Sequence, residues 1–110
     1  MEFIETLDAA IIVIDTEGKI IYLNDKAITN FDKDGGRDLL GKNLQDCHND
    51  DSNRKIEEML VTKEKNIYTI EKKGIKKLIY QTPWYKEKKF GGLVELSLEI
   101  PFEMPHFIRE

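Results

Sequence analysis

From residue 93 to residue 100 the chain reads Leu-Val-Glu-Leu-Ser-Leu-Glu-Ile. Val94, Leu96, Leu98 and Ile100 alternate there with Leu93, Glu95, Ser97 and Glu99. A period of two is the signature of extended chain, because successive side chains of a strand point to opposite faces. The segment predicts a half-buried strand over Gly92 to Ile100, with the Val94 row on the buried face and the Leu93 row toward solvent.

The other elements follow from local patterns. Glu2 to Leu7 predicts a short amphipathic helix carrying Phe3, Ile4 and Leu7. Two β-rich runs, Ala10 to Asp15 and Lys19 to Leu23, flank Thr16-Glu17-Gly18 and form a hairpin. Asn24 is placed to cap a helix through Phe31, with Ala27, Ile28 and Phe31 as its inner stripe. Asp32 to Gly36 is a polar turn, and Leu39, Leu40 and Leu44 anchor the irregular stretch beyond it. A longer helix starts near Asp50 to Ser52, where acids suit the helix dipole, buries Ile56, Met59 and Leu60, and stops near Lys63. Three strands end the chain: Asn66 to Lys72, turning at Lys73-Gly74; Lys76 to Tyr85, turning near Lys88-Lys89; and Gly92 to Ile100. Pro83 cannot donate a ladder hydrogen bond, so a bulge or a free N–H position is expected there. A hairpin, several short helices and a three-stranded meander make an α+β domain with helices on one sheet face.

Length and composition narrow the class further. One domain with one core suits 110 residues, and 40% apolar with 35% charged residues excludes a disordered tail. No apolar run approaches the ~20 residues of a membrane span. The acidic N-terminal residues read as no secretory leader. Cys47 is the only cysteine, which precludes an internal disulfide and suits a reducing, cytoplasmic setting. The net charge of -4 is unevenly spread: residues 63 to 89 hold nine Lys against three Glu. Arg is absent from that stretch and the remainder is acidic, which argues against a nucleic-acid partner. The lysines read as strand solvent faces that discourage edge pairing.

Ala10 to Phe31, an apolar strand ending in Asp, a Gly turn, an apolar strand ending in Asn and a short helix, resembles the opening of a PAS domain. Leu40-Gly41-Lys42-Asn43-Leu44 is similar to the family's Leu-Gly-Lys/Arg segment before its long helix, and residues 91–100 resemble its last strand. The resemblance is to bacterial-type PAS domains and covers roughly residues 5 to 100. It implies a five-stranded antiparallel sheet of order 2-1-5-4-3, short helices on one face, and a ligand space between the two. It also implies a sensory, dimerising or scaffolding role beside an effector.

Catalytic, metal and cofactor readings find little support. Light-sensing relatives carry a flavin-reactive Cys in Gly-x-Asn-Cys; here Gly41-Lys42-Asn43 is followed by Leu44, so a covalent flavin photoswitch is not expected. Cys47-His48 resembles a Cys-His-Pro-Pro subgroup, but Asn49-Asp50 replace the prolines. His48 is the one interior candidate for a haem ligand, and a capping or partly exposed histidine is the preferred reading. One Cys, one adjacent His and the distant His106 make no zinc set. No Walker loop or nucleophile elbow is present, so no catalytic residue is assigned and no enzyme is expected.

A small organic ligand has a candidate pocket in Leu44, His48, Ile56, Tyr80, Trp84 and Leu96. That set requires the Leu78, Tyr80, Thr82, Trp84 row to face the helices; the opposite phase presents Ile79, Gln81 and Tyr85. The chain divides into a domain over residues 1 to 100 and a proline-punctuated apolar tail over 101 to 110. Phe3, Ile4 and Leu7, with Phe102, Met104, Phe107 and Ile108 from the tail, form a candidate dimer interface. The leading expectation is a non-catalytic cytoplasmic signalling module working through protein contacts as a homodimer. An unknown signalling protein would be its further partner, with neither nucleic acid nor membrane. The alternative is a sensor of haem or a small organic molecule.

Overall fold

The computed structural model describes residues 1–47 and 50–110, without the Cys47 side chain. Its elements are α1 (Glu2–Glu5), β1 (Ala10–Ile14), β2 (Ile20–Leu23), α2 (Asp25–Asn30), three 3₁₀ turns, α3 (Asp50–Thr62), β3 (Asn66–Lys72), β4 (Ile75–Lys86) and β5 (Lys89–Ile100). The strands form one antiparallel sheet in the order β2-β1-β5-β4-β3, as the resemblance implied. The last strand therefore lies in the centre, between the first hairpin and the β3–β4 hairpin.

Asn24 joins the first hairpin to the helical layer. It is fully buried, and its side chain makes four hydrogen bonds. Its Oδ1 accepts from the backbone N–H of Ile11 at 2.9 Å and of Ala27 at 3.1 Å. Its Nδ2 donates to the carbonyl of Ile4 at 3.1 Å and of Ala9 at 2.8 Å. The expected cap of α2 is thus present, and the same amide also ties down α1 and the start of β1.

The helix side of the sheet is set by β1. Ala10, Ile12 and Ile14 are almost fully buried and pack in one core with Ala27 of α2 and with Ile56 and Met59 of α3. The register pairs Ile14 with Leu93, Ile12 with Glu95 and Ala10 with Ser97. Those β5 residues share the helix face, and Val94, Leu96 and Leu98 point away from it. This corrects the expected phase: Leu93 is 5% exposed and belongs to the core, whereas Val94 is half-buried on the other face. Alternation in a single strand marks an apolar row but does not say which row meets the helices. The neighbouring strand decides, and β1 is apolar on both faces.

Other differences are local. α1 ends at Glu5, short of Leu7, where the Thr6 hydroxyl turns back to the Glu2 carbonyl at 2.7 Å. Pro83 pairs in register with Leu93, and the irregularity falls next to it, between Trp84 and Tyr85. β3 pairs with β4 only as far as Gln81, so Pro83 lies where β4 has one neighbour and its missing N–H costs no bond to β3. The β4–β5 loop is Glu87-Lys88, one residue earlier than expected, with φ of 51° and 68°. Gly92, at φ 140°, lets β5 close on β1, because a Cβ there would collide with the Ile14 carbonyl oxygen.

Three outcomes are expected from urea titrations. Leu93→Asp places a carboxylate in the core and should cost about 3 kcal/mol or more, while Val94→Asp should cost clearly less. Asn24→Ala leaves two backbone N–H groups and two carbonyls without their partner and should cost about 2–4 kcal/mol. Replacing Glu87-Lys88 with Asn-Gly, which accepts positive φ at both positions, should add about 0.5–1 kcal/mol of stability.

Candidate functional site

The phase of β5 decides what lies between sheet and helices. Paired positions carry the helix-side row of each strand to the next: Glu95 lies opposite Gln81, and Gln81 opposite Asn66. Their side chains form a directed chain across three strands. Asn66 Nδ2 donates to Gln81 Oε1 at 2.8 Å, and Gln81 Nε2 donates to Glu95 Oε1 at 2.7 Å. Gln81 is buried, so this chain satisfies an amide that would otherwise be costly on the inner face.

Beside this chain lies a cleft of about 270 Å³. Its floor includes Ile12, Ile79, Glu95 and Ser97, and Asn30 and Phe31 at the end of α2 form one wall. Tyr68 of β3 borders it and also a second recess of about 220 Å³, where Asp51, Ser52 and Lys55 of α3 stand over Asn66 and Gln81. Burial, and then the Glu95 carboxylate, hold the Tyr68 hydroxyl above the ordinary tyrosine pKa of 10.0. The cleft is thus mixed in character, with an aliphatic floor and hydroxyl, amide and carboxylate groups placed along it.

The sequence-derived pocket set is split by the sheet. Leu44 and Ile56 are buried in the helix-side core. Tyr80 and Leu96, which pair with one another, lie on the opposite face with Trp84. Trp84 reaches across β5 there and donates from Nε1 to the Ile14 carbonyl at 3.0 Å. His48 lies outside the described residues. Asn30, Tyr68, Lys72, Lys77, Glu95 and Ser97 carry the polar chemistry of the cleft, Asn66 and Gln81 belong to the second recess, and none of them was singled out as a ligand-binding residue. The one signal for them was the second phase of β4, which presents Ile79 and Gln81.

The away-facing side is largely apolar. Ile11 and Val13 of β1, Leu78 and Tyr80 of β4, and Leu96 and Leu98 of β5 are all half-buried on it. Of the candidate interface residues, Phe3, Leu7, Phe102, Met104, Phe107 and Ile108 are exposed, and Ile4 is half-buried. At the near edge of that face the Tyr22 hydroxyl is buried without a hydrogen-bond partner among the described residues. Burial, then Glu5 and Asp25, raise its pKa. Among the described residues no group of three or more His, Cys, Asp or Glu is placed to hold a metal ion, and no helix is long and apolar enough to cross a membrane.

A profile of the PAS domain family matches residues 8–83, well over half of the chain. The chain belongs to the PAS domain family. Solved PAS structures share its fold. A sensory box sensor histidine kinase from Vibrio cholerae is 18% identical with a TM-score of 0.68, covering 92% of this chain and 89% of that one. The PAS domain of the histidine kinase ThkA is 23% identical with a TM-score of 0.67, covering 83% and 98%. The Aer2 receptor from Vibrio cholerae, described as a dual PAS–haem oxygen sensor, is 14% identical with a TM-score of 0.63, covering 84% and 95%. No curated protein matches the chain. PAS domains are sensory modules of signalling proteins, and nothing among the described residues indicates catalysis.

The raised Tyr68 pKa has a defined consequence. Unfolded chain ionises Tyr68 near pH 10, and the folded domain holds the proton longer. The contribution to stability is complete below pH 10 and is lost as pH rises through the folded value. Glu95→Gln removes the second of the two causes, so Tyr68 should titrate closer to 10 without reaching it. Tyrosinate absorbance, with Tyr68→Phe assigning the signal, reads this directly. An unchanged titration contradicts the placement of Glu95 beside Tyr68.

Proposed function

We propose that this PAS domain is a non-catalytic cytoplasmic signalling module that works by binding protein, in the first instance a second copy of itself. The observation that carries this reading is the inverted strand phase. Glu95, Ser97 and Gln81 occupy the helix side, and the apolar rows of three adjacent strands occupy the face that α2 and α3 leave uncovered. Contiguous apolar side chains that helices leave uncovered mark contact surfaces on soluble domains. A second copy is the occupant argued for because PAS domains of histidine kinases often pair. A stable pair needs about 800 Å² from each partner. The outer face, together with the exposed Phe3, Leu7 and the apolar side chains of the tail, is the apolar surface from which such a contact would be built. The compact module is residues 1–100, and 101–110 is a contact segment outside its core.

A second reading has its own support in the cleft of about 270 Å³. Ligand pockets in general run from about 300 to 1,000 Å³, so a small polar organic molecule is a better match than a haem. Neither recess is lined by a histidine or cysteine among the described residues. The haem version of this reading therefore depends wholly on His48.

Light scattering over a concentration series tests the first reading. The expected result is a dimer mass at high micromolar concentration, reduced to a monomer by Leu96→Glu, with the far-UV circular dichroism of the folded domain retained and the urea midpoint lowered only toward that of the dilute, monomeric parent. A monomer mass in the parent chain at every concentration removes the reading. A co-purifying small molecule released on denaturation, together with a monomer mass, would put the ligand sensor in its place.

A further inference from the structure

β3 is an edge strand. It pairs with β4 over its whole length, and no described strand lies on its other side. Alternate N–H and C=O groups along that side are open to a further strand. Proteins usually blunt such an edge with a proline, a bulge, a central charge or a short strand. The middle of β3 has none of these. Ile67, Tyr68, Thr69 and Ile70 are exposed and the register against β4 is unbroken. Its lysines stand at the ends, at Lys65, Lys72 and Lys73, all exposed and without an ion pair among the described residues.

Residues 101–110 complement this edge. They are exposed throughout and pair with no strand. Within an extended segment the backbone N–H and C=O of alternate residues point to the same side. Pro101 and Pro105 are both odd-numbered, so Phe102, Met104, His106 and Ile108 keep every N–H on the opposite side. Such a segment can hydrogen-bond through its even-numbered residues while both prolines face outward, an arrangement in which an edge strand tolerates them. Three of the four even-numbered side chains are apolar, like the Ile67–Ile70 stretch of β3.

A tail would reach its own β3 edge only by a detour. β5 ends at Ile100 beside Lys76, with β4 standing between it and β3. Three strand spacings, about 14 Å, separate β5 from the open position, which takes up about half of the tail before it turns back to pair. A second copy imposes no such crossing. We propose that residues 102–108 of one copy add as a strand to the open edge of β3 in another, through the N–H and C=O groups of the even-numbered residues. This rests on the homodimer reading and fixes where one end of the chain docks. A reciprocal exchange closes a twofold pair.

Amide hydrogen exchange of the full chain, followed by NMR across the concentration range in which its mass changes, tests the docking site. The β3 amides that point away from β4 should gain protection at least tenfold as the pair forms. Synthetic peptides of residues 101–110 then compete with the tail. The unmodified peptide, and one N-methylated at Glu103 and Phe107, should displace it. A peptide N-methylated at Met104 and His106 should be at least tenfold weaker. A dimer whose β3 edge stays unprotected overturns the docking site and leaves the homodimer reading standing. Equal potency of the two methylated peptides overturns the strand phase. A monomer at all concentrations with no peptide binding removes both.

Discussion

Asn24 holds together parts of the chain that would otherwise meet only through side-chain packing. One amide satisfies the backbone N–H of Ala27 in the first turn of α2, that of Ile11 in β1, and the carbonyls of Ile4 and Ala9. Its own N–H and C=O are also bonded, to the Ile11 carbonyl and the Ile28 N–H. A fully buried amide with every valence used is rigid, because any displacement breaks several bonds at once in a medium that offers no water in exchange. The angle at which the helical layer leaves the first hairpin is therefore fixed. With it goes the position of Asn30 and Phe31, which wall the cleft one helix length away.

The rest of the site follows from strand pairing. β1 is apolar on both faces, so it can present one row to the helices and another outward. Its register with β5 then brings Glu95 and Ser97 to the helix side. Polar groups placed there need partners, and the Asn66–Gln81–Glu95 chain supplies them across three strands. The cleft acquires its chemistry and the opposite face its apolar character from this single arrangement. The helix side thus carries a polar chain beside its apolar core, and the opposite face carries a second apolar row.

Much of the fold was legible in advance. The hairpin at Gly18, the capped helix after Asn24, the acidic start of α3 and the β3–β4 turn at Lys73-Gly74 each follow from a few adjacent residues. Loop chemistry was harder where it breaks a local rule. Glu87 and Lys88 occupy left-handed backbone that usually takes Gly or Asn, so nothing in their identity announces the turn. The candidate site was the least legible part. Tyr80, Trp84 and Leu96 have the right composition for a pocket wall but stand on the other side of the sheet from Leu44 and Ile56.

The sequence by itself determined the order and type of the elements and the alternation of each strand, because periodicity and turn chemistry act over a few residues. It also determined that Asn24 would cap α2, a contact three residues long. Only the tertiary structure decided which row of β5 faces the helices, that Asn24 also clamps α1, and that Asn66, Gln81 and Glu95 meet. Each of those depends on register between segments 13 to 20 residues apart or more. A one-residue change of register turns every side chain of a strand to the opposite face, and only the neighbouring strand's burial selects between the two.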